Sequence, residues 1–222
     1  MSVVFAALAI WLMATEVFAQ VSPPSLVYRT QIYGRGNANS LPAAGDTNLG
    51  KNALAVDPAG NVYVTGTTFN GLNSDYLTVK YSPQGTILWR AVANGAGNGN
   101  DFAYAIALDA GGNVIVTGSS KASGYSNYLT IKYDASGNEQ WRASMDGAMQ
   151  RDDEAYVVAV DGSGHIFVTG VANAYTGNSD YVTVKYSPAG AELWRMTMDS
   201  AGRIDQSVAM CLDNAGNPIV TG

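Results

Sequence analysis

Cysteine and histidine are nearly missing from this 222-residue chain, which has one of each, Cys211 and His165. A single thiol excludes an internal disulfide. A single imidazole leaves no His/Cys cluster for a structural zinc, and any Ser-His-Asp arrangement would have to use His165. Neither G-x-S-x-G nor H-E-x-x-H occurs. Charge is scarce at 14%, and the 12 basic residues stand against 18 acidic ones for a net charge of −6, so no nucleic-acid partner is expected. Seven of the twelve bases also occupy repeat positions: Lys80, Lys132 and Lys185 share one, and Arg90, Arg142 and Arg195, matched by Arg29, share another. Asp152 and Asp153 are adjacent and would point apart on a strand, so they make no glycosidase pair. No acidic run has EF-hand spacing.

One apolar run stands apart, Val3–Ala14. Its length suits a signal peptide and is short for a membrane span. Val17 and Ala19 are small enough for the −3 and −1 positions, so residues 1–19 read as a secretory signal cleaved after Ala19. No Lys or Arg precedes the run, and an uncleaved anchor is the alternative. Either reading exports the rest, to the extracellular space or the cell surface, with no membrane span left once the signal is removed.

What the chain has in quantity is glycine, 25 residues, arranged in a repeat. The pattern is D-x-x-G-N, V-x-V-T-G, [DN]-Y-x-T-[VI]-K-Y, W-R. The leading Asp falls at 57, 109, 161 and 213, and the Gly closing V-T-G at 66, 118, 170 and 222, both stepping by 52. A fixed period of this size signals a repeat architecture. Each unit carries four strand signals. Strand A ends at the Asp, as in Ala103–Leu108, where alternating small and large residues suit a crowded inner position. Strand B is Val114–Thr117, strand C is Tyr128–Tyr133, and strand D surrounds Trp141. The D-x-x-G-N turns read as type I turns with a glycine bulge, and Ser82–Gly85 and Ser187–Gly190 repeat that logic between C and D. His165 stands where the other turns have Asn, which reads as a turn substitution. Cys211 stands where the other units have Ala55, Ala107 and Ala159, which reads as a small packed residue.

Four-stranded antiparallel units at this period make an all-β chain of propeller blades. The boundaries read as a short leader at 20–25, a D-like strand at 26–33, a long connection at 34–50, blades at about 51–93, 101–145 and 153–198, and a partial blade at 205–222. Three full blades and partial ones form an incomplete ring, and further blades of the same full-length chain are expected beyond strand B of the fourth. A closed four-bladed ring is the alternative.

These residues resemble the bacterial seven-bladed β-propeller repeat (SBBP) family. The resemblance rests on Asp75–Tyr81, Trp89, the Asn94–Asp101 connection and the run on to Gly118, and extends over nearly everything after about residue 50. It implies a secreted or cell-surface propeller, no particular reaction and no catalytic residues. The 34–50 connection departs from the family pattern, being longer and lacking its D-x-A element.

Length variation places a candidate ligand face. Gly66 to Tyr76 and Gly118 to Tyr128 span 10, but Gly170 to Tyr181 spans 11. Trp89 to Asp109 and Trp141 to Asp161 span 20, but Trp194 to Asp213 spans 19. All variation lies in the B–C and D–A connections, which emerge on one face of a meander, and variable loops on a rigid frame usually carry binding. That face is acidic. Asp101, Asp153 and Asp205 recur before strand A, Asp75 and Asp180 precede strand C, and Asp152 and Glu154 flank Asp153. A functional reading is a carboxylate ring attracting Ca²⁺ or a cationic ligand. The favoured reading is that each Asp accepts loop N–H groups or pairs with a neighbouring blade. Lys80/Trp89, Lys132/Trp141 and Lys185/Trp194 sit 9 apart across the C–D hairpin and could stack as cation–π pairs or offer aromatic surface to sugars, with packing between blades the favoured role. The functional expectation is a binding scaffold for an unidentified protein or glycan. The alternative is an extracellular carbohydrate-active hydrolase or lyase using the acidic loop face.

Overall fold

The computed structural model describes residues 53–122, 124–147, 151–173, 179–199, 205–207 and 209–222. The expected signal at 1–19, leader at 20–25, strand at 26–33, connection at 34–50 and first two residues of the first blade lie outside the described residues.

The first sheet contains β1 (Leu54–Val56), β2 (Val62–Phe69), β3 (Ser74–Tyr81) and β4 (Ile87–Ala93). The second contains β5 (Asp101–Leu108), β6 (Val114–Lys121), β7 (Ser126–Tyr133) and β8 (Glu139–Met145). The third contains β9 (Glu154–Val160), β10 (Ile166–Ala172), β11 (Asp180–Tyr186) and β12 (Glu192–Met198), and a last pair contains β13 (Ala209–Leu212) and β14 (Pro218–Thr221). Each sheet is an antiparallel meander in chain order. The first strands of successive sheets pack closely on one another, whereas the backbones of the fourth strands lie close only to their own sheets and reach the next blade through side chains. The first strands therefore form a hub and the fourth a rim. The result is three propeller blades and a two-stranded fourth, with the ring open among the described residues.

The turns follow the sequence chemistry. In the first, Gly60 has φ 81° and its N–H donates to Asp57 O at 2.9 Å. Asp57 Oδ1 accepts the Asn61 N–H at 2.8 Å and Oδ2 accepts Asn61 Nδ2 at 2.7 Å. His165 takes the Asn role, with Nδ1 2.9 Å from Asp161 Oδ2. The C–D turns use Gly85, Gly137 and Gly190 at φ 82°, 85° and 88°.

Both faces of the second sheet are covered. Tyr63, Tyr76 and Ala93 of the first blade pack on Ala103, Ile106, Val116 and Ile131, while Ala105, Ile115 and Met145 pack on Ala155, Val158 and Val168 of the third. Ala103 and Ala105 thus face opposite neighbours, although period-2 alternation would place them on one face. A β-bulge explains it: Ala103 pairs with Gly118 and Ala105 with Thr117, so Tyr104 is the extra residue of the bulge. The third blade repeats the bulge at Tyr156, between Ala155↔Gly170 and Val157↔Thr169. Strand B also runs further than Val114–Thr117, to Lys121, because Ser119 and Ser120 remain buried under the neighbouring connection.

Three side-chain latches then join the blades. Tyr76 donates to Leu129 O of the next blade at 3.0 Å, and Tyr128 to Val182 O at 3.3 Å. Trp89 Nε1 donates to Ala135 O and Trp141 Nε1 to Pro188 O, each at 3.1 Å. Arg142 reaches back to Asn94 O at 2.8 Å, and Arg195 to Asp146 O at 3.3 Å. The Y, W and R of the repeat are therefore the residues through which neighbouring blades hold each other. Tyr76 is fully buried, so Tyr76→Phe removes the shorter of two hydroxyl bonds to the Leu129 carbonyl, the other coming from Thr117 at 3.3 Å. The expected loss is about 1 kcal/mol, read as a lower urea midpoint at unchanged m-value. An unchanged midpoint would mean that the latch carries no weight.

Candidate functional site

The B–C and D–A connections meet on one face. Asn73 Nδ2 donates to Gly99 O at 2.8 Å, and the Ser74 N–H to Asn100 Oδ1 at 3.0 Å. One blade later, the Ser126 N–H donates to Asp152 Oδ1 at 2.8 Å, and the Asp153 N–H to Ser126 O at 2.7 Å. Glycines make this packing close: a Cβ on Gly97 or Gly99 would lie 2.6 Å from Ala122 O or 2.2 Å from Lys121 O.

The recurring Asp before strand A ties these loops together. Asp101 is fully buried; Oδ2 accepts the Gly95 N–H at 2.5 Å and Oδ1 the Lys121 N–H at 3.2 Å. Asp153 repeats the arrangement with Gly147 N–H at 2.5 Å and Asn173 N–H at 2.9 Å. Burial pushes the Asp153 carboxyl above its ordinary value against those two bonds, and Asp146 and Asp152 add to the rise. Asp75 is buried with Oδ2 accepting Asn70 Nδ2 at 2.8 Å. Glu154, also buried, accepts the Tyr156 hydroxyl at 2.6 Å.

Asp205 sits in different company. Asp180, Asp199 and Asp205 each offer an oxygen within 4.8 Å of the others, the one such group among the described residues. Burial raises the Asp180 carboxyl, with repulsion from Asp199 and Asp205 added. Three oxygens are half of the six to eight that Ca²⁺ takes. The equivalent positions in the other units carry Asp75, Asn94 and Asp101, then Asn127, Asp146 and Asp153, each with one carboxylate fewer.

Taken together, Asp75, Asp101, Asp146, Asp152, Asp153, Glu154, Asp180, Asp199 and Asp205 lie at the loop end of the strands with Lys121 and Arg151, while Arg142 and Arg195 reach in from the rim to Asn94 O and Asp146 O. Ion pairs between described residues fall elsewhere: Lys132–Asp109 and His165–Asp161 at the turn face, Arg142–Glu139 and Arg195–Glu192 on the rim.

Two expectations need correcting. Lys80, Lys132 and Lys185 are register partners of Trp89, Trp141 and Trp194. Their ammonium groups turn to strand B instead. Lys80 sits 4.9 Å above the Tyr63 ring and Lys185 4.8 Å above Phe167. Lys132, which has Ile115 beside it rather than a ring, pairs with Asp109 at 2.9 Å. Trp89 and Trp141 pack on Tyr133 and Tyr186 of the next blade, and Trp194 on Phe167 of its own. Cys211 is exposed rather than packed, because no described strand covers that face of β13.

Sequence reasoning placed strand A at a crowded inner position but missed the aromatic stack at the hub. The bulges turn Tyr104 and Tyr156 towards each other, with ring centroids 5.7 Å apart, and Phe102 stacks on Tyr104 at 6.5 Å with planes 12° apart. The signal was present as D-x-A-Y at 101–104 and 153–156.

A family model described as a β-propeller repeat matches residues 52–73, the span from the first A strand to the end of the first B–C loop. That match and the blades agree: residues 52–73 are similar to a β-propeller repeat, and the sheets of the described residues are arranged as propeller blades. The propeller is also similar to a WD repeat-containing protein of Acanthamoeba polyphaga mimivirus, 26% identical over 186 residues covering 76% of this chain. It spans 11% of that relative's length.

Proposed function

We propose that this propeller is a secreted or cell-surface scaffold that binds a protein or glycan through its loop face. The observation that carries the reading is the contrast between the two faces. Every turn-face connection is the same length and uses its leading Asp or Ser within its own turn, whereas every length change and the excess of carboxylates lie on the loop face. The apolar run Val3–Ala14 supports export. His165, the one imidazole, is engaged in a turn on the opposite face.

Protein and glycan arrays probed with the full chain test this. Binding should fall with Leu72→Ser or Tyr125→Ser, both exposed on the loop face, and persist with Gln84→Ala on the turn face. The reverse pattern would sink the face assignment. A hydrolase substrate panel run beside the arrays should show no turnover. Turnover lost in Asp153→Ala with the fold intact would replace the scaffold reading with an enzymatic one.

A further inference from the structure

Asparagine is followed by glycine three times in the chain, at Asn70–Gly71, Asn94–Gly95 and Asn98–Gly99, each in a loop-face connection. Asparagine is a thermolabile residue, and a following glycine, having no Cβ, leaves its N–H free to close on the asparagine side chain. The structure treats the three pairs unequally. At Asn94 the closing nitrogen is occupied: the Gly95 N–H donates to the buried Asp101 carboxylate at 2.5 Å. At Asn70 the side chain is pinned at both ends. Its Oδ1 accepts the Leu72 N–H at 2.9 Å and the Asn73 N–H at 3.1 Å, while Nδ2 donates to Asn73 Oδ1 and, at 2.8 Å, to the buried Asp75. Asn98 has neither restraint. It is exposed, and its Oδ1 accepts Nδ2 of Asn94, itself exposed, at 2.7 Å. Among the described residues, the Gly99 N–H and Asn98 Nδ2 have no acceptor.

We propose that Asn98 is a self-modification site, its side-chain amide converted to a carboxylate with water as the co-reactant. The Gly99 nitrogen gives its proton to solvent and bonds to Asn98 Cγ. The Cγ–Nδ2 bond breaks, and Nδ2 takes a proton from solvent and leaves as ammonia. Water then opens the cyclic imide. Opening at Cγ gives aspartate, and opening at the main-chain carbonyl gives isoaspartate, which puts Cβ into the backbone. Nothing is oxidised or reduced: amide and water become acid and ammonia. Either product adds a negative charge to the loop face. Isoaspartate also lengthens a connection that has no slack, since a Cβ on Gly97 or Gly99 would already lie 2.6 Å from Ala122 O or 2.2 Å from Lys121 O. The connection must lift from the end of β6, releasing the Asn73 bond to Gly99 O. This goes beyond the binding reading and does not depend on it.

The test incubates the full chain in mildly alkaline buffer, natively and in concentrated guanidinium chloride, and follows each site by peptide mapping. Mass spectrometry reads conversion as a gain of about 1 Da. In the native chain Asn98 should convert about tenfold faster than Asn94 or more, because the Gly95 bond to a buried carboxylate must first be broken. Asn70 should lag as well, and in denaturant the three rates should converge. Asn98→Gln should abolish the native gain at that site, since the longer side chain must close a larger ring. Equal native rates at the three sites would overturn the inference, as would an Asn98 that converts in denaturant and not in the native chain. A native order that persists unchanged in denaturant would also overturn it, because the local sequence and not the fold would then set the rates. None of these outcomes bears on the loop-face ligand, which the arrays test separately.

Discussion

Gly170→Ala should cost about 3 kcal/mol and lower the thermal midpoint by about 6–12 °C, whereas Gly162→Ala should leave it nearly unmoved. A Cβ on Gly170 would lie 1.9 Å from Glu154 O and 2.7 Å from Ala155 Cα. Both are backbone atoms of the bulged hub strand, so neither can swing aside as a side chain would. The bulge must flatten or the two strands must separate, and flattening would carry Tyr156 away from Tyr104. Gly118→Ala should behave alike, since its Cβ would meet Phe102 O at 1.9 Å. At Gly162 no atom lies within 4 Å, and Pro58 and Ala110 hold the equivalent turn position. Circular dichroism melts of the three variants decide it. Equal shifts at Gly162 and Gly170, or none at Gly170, would mean that the glycine of V-T-G is not there to receive the bulge.

That glycine shows how far the sequence could be read. The period, the four strands per unit and the turn chemistry were legible because each depends on neighbours in the chain: Asp57 caps a turn closed by Gly60 and Asn61. The two-faced burial of strands B and C was legible from apolar residues in both alternation classes. The purposes of Tyr76, Trp89 and Arg142 were not, because their partners Leu129, Ala135 and Asn94 lie about one full unit away. The lysine direction was hidden for a related reason. Lys80 and Trp89 are opposite each other in the register, but the cation had a second choice across strand B in Tyr63, and Trp89 was already held by the next blade. The aromatic stack at the hub escaped because a bulge shifts the phase within one strand, so Ala103 and Ala105 read as one face and lie on two. At the candidate site, the acidic character of the loop face was legible residue by residue. What was not legible is that Asp101 and Asp153 are interior groups, since nothing local reveals that the Gly95 and Gly147 N–H groups will fold back onto them.

Asp153→Ala should cost about 3 kcal/mol, because it strands two buried donors at once. The carboxylate is fully buried and is the partner of the Gly147 and Asn173 N–H groups, while its own N–H holds Ser126 O. One residue thus joins the connection leaving the second blade to loops of both the second and third. Asp153→Asn should recover only part of the loss, since an amide can accept one of the two bonds and turns its NH₂ towards the other donor. The dependence on pH separates this role from that of Asp109. Burial raises the Asp153 carboxyl in the folded state, so folding takes up a proton there and its contribution falls as pH rises from the unfolded value through the higher folded one. The stability gap between wild type and Asp153→Ala should therefore be widest in acid and narrow on approach to neutrality. At Asp109 burial acts upward too, but the Asn113 and Lys132 bonds outweigh it and hold the carboxyl below its ordinary value. Its contribution is present above the unfolded carboxylate value and is lost as pH falls through the folded one. The gap between wild type and Asp109→Ala should consequently shrink in acid. Urea unfolding of both variants from about pH 3 to 6 reads the two trends, and parallel slopes would show that the loop-face and turn-face aspartates are not held in opposite electrostatic settings.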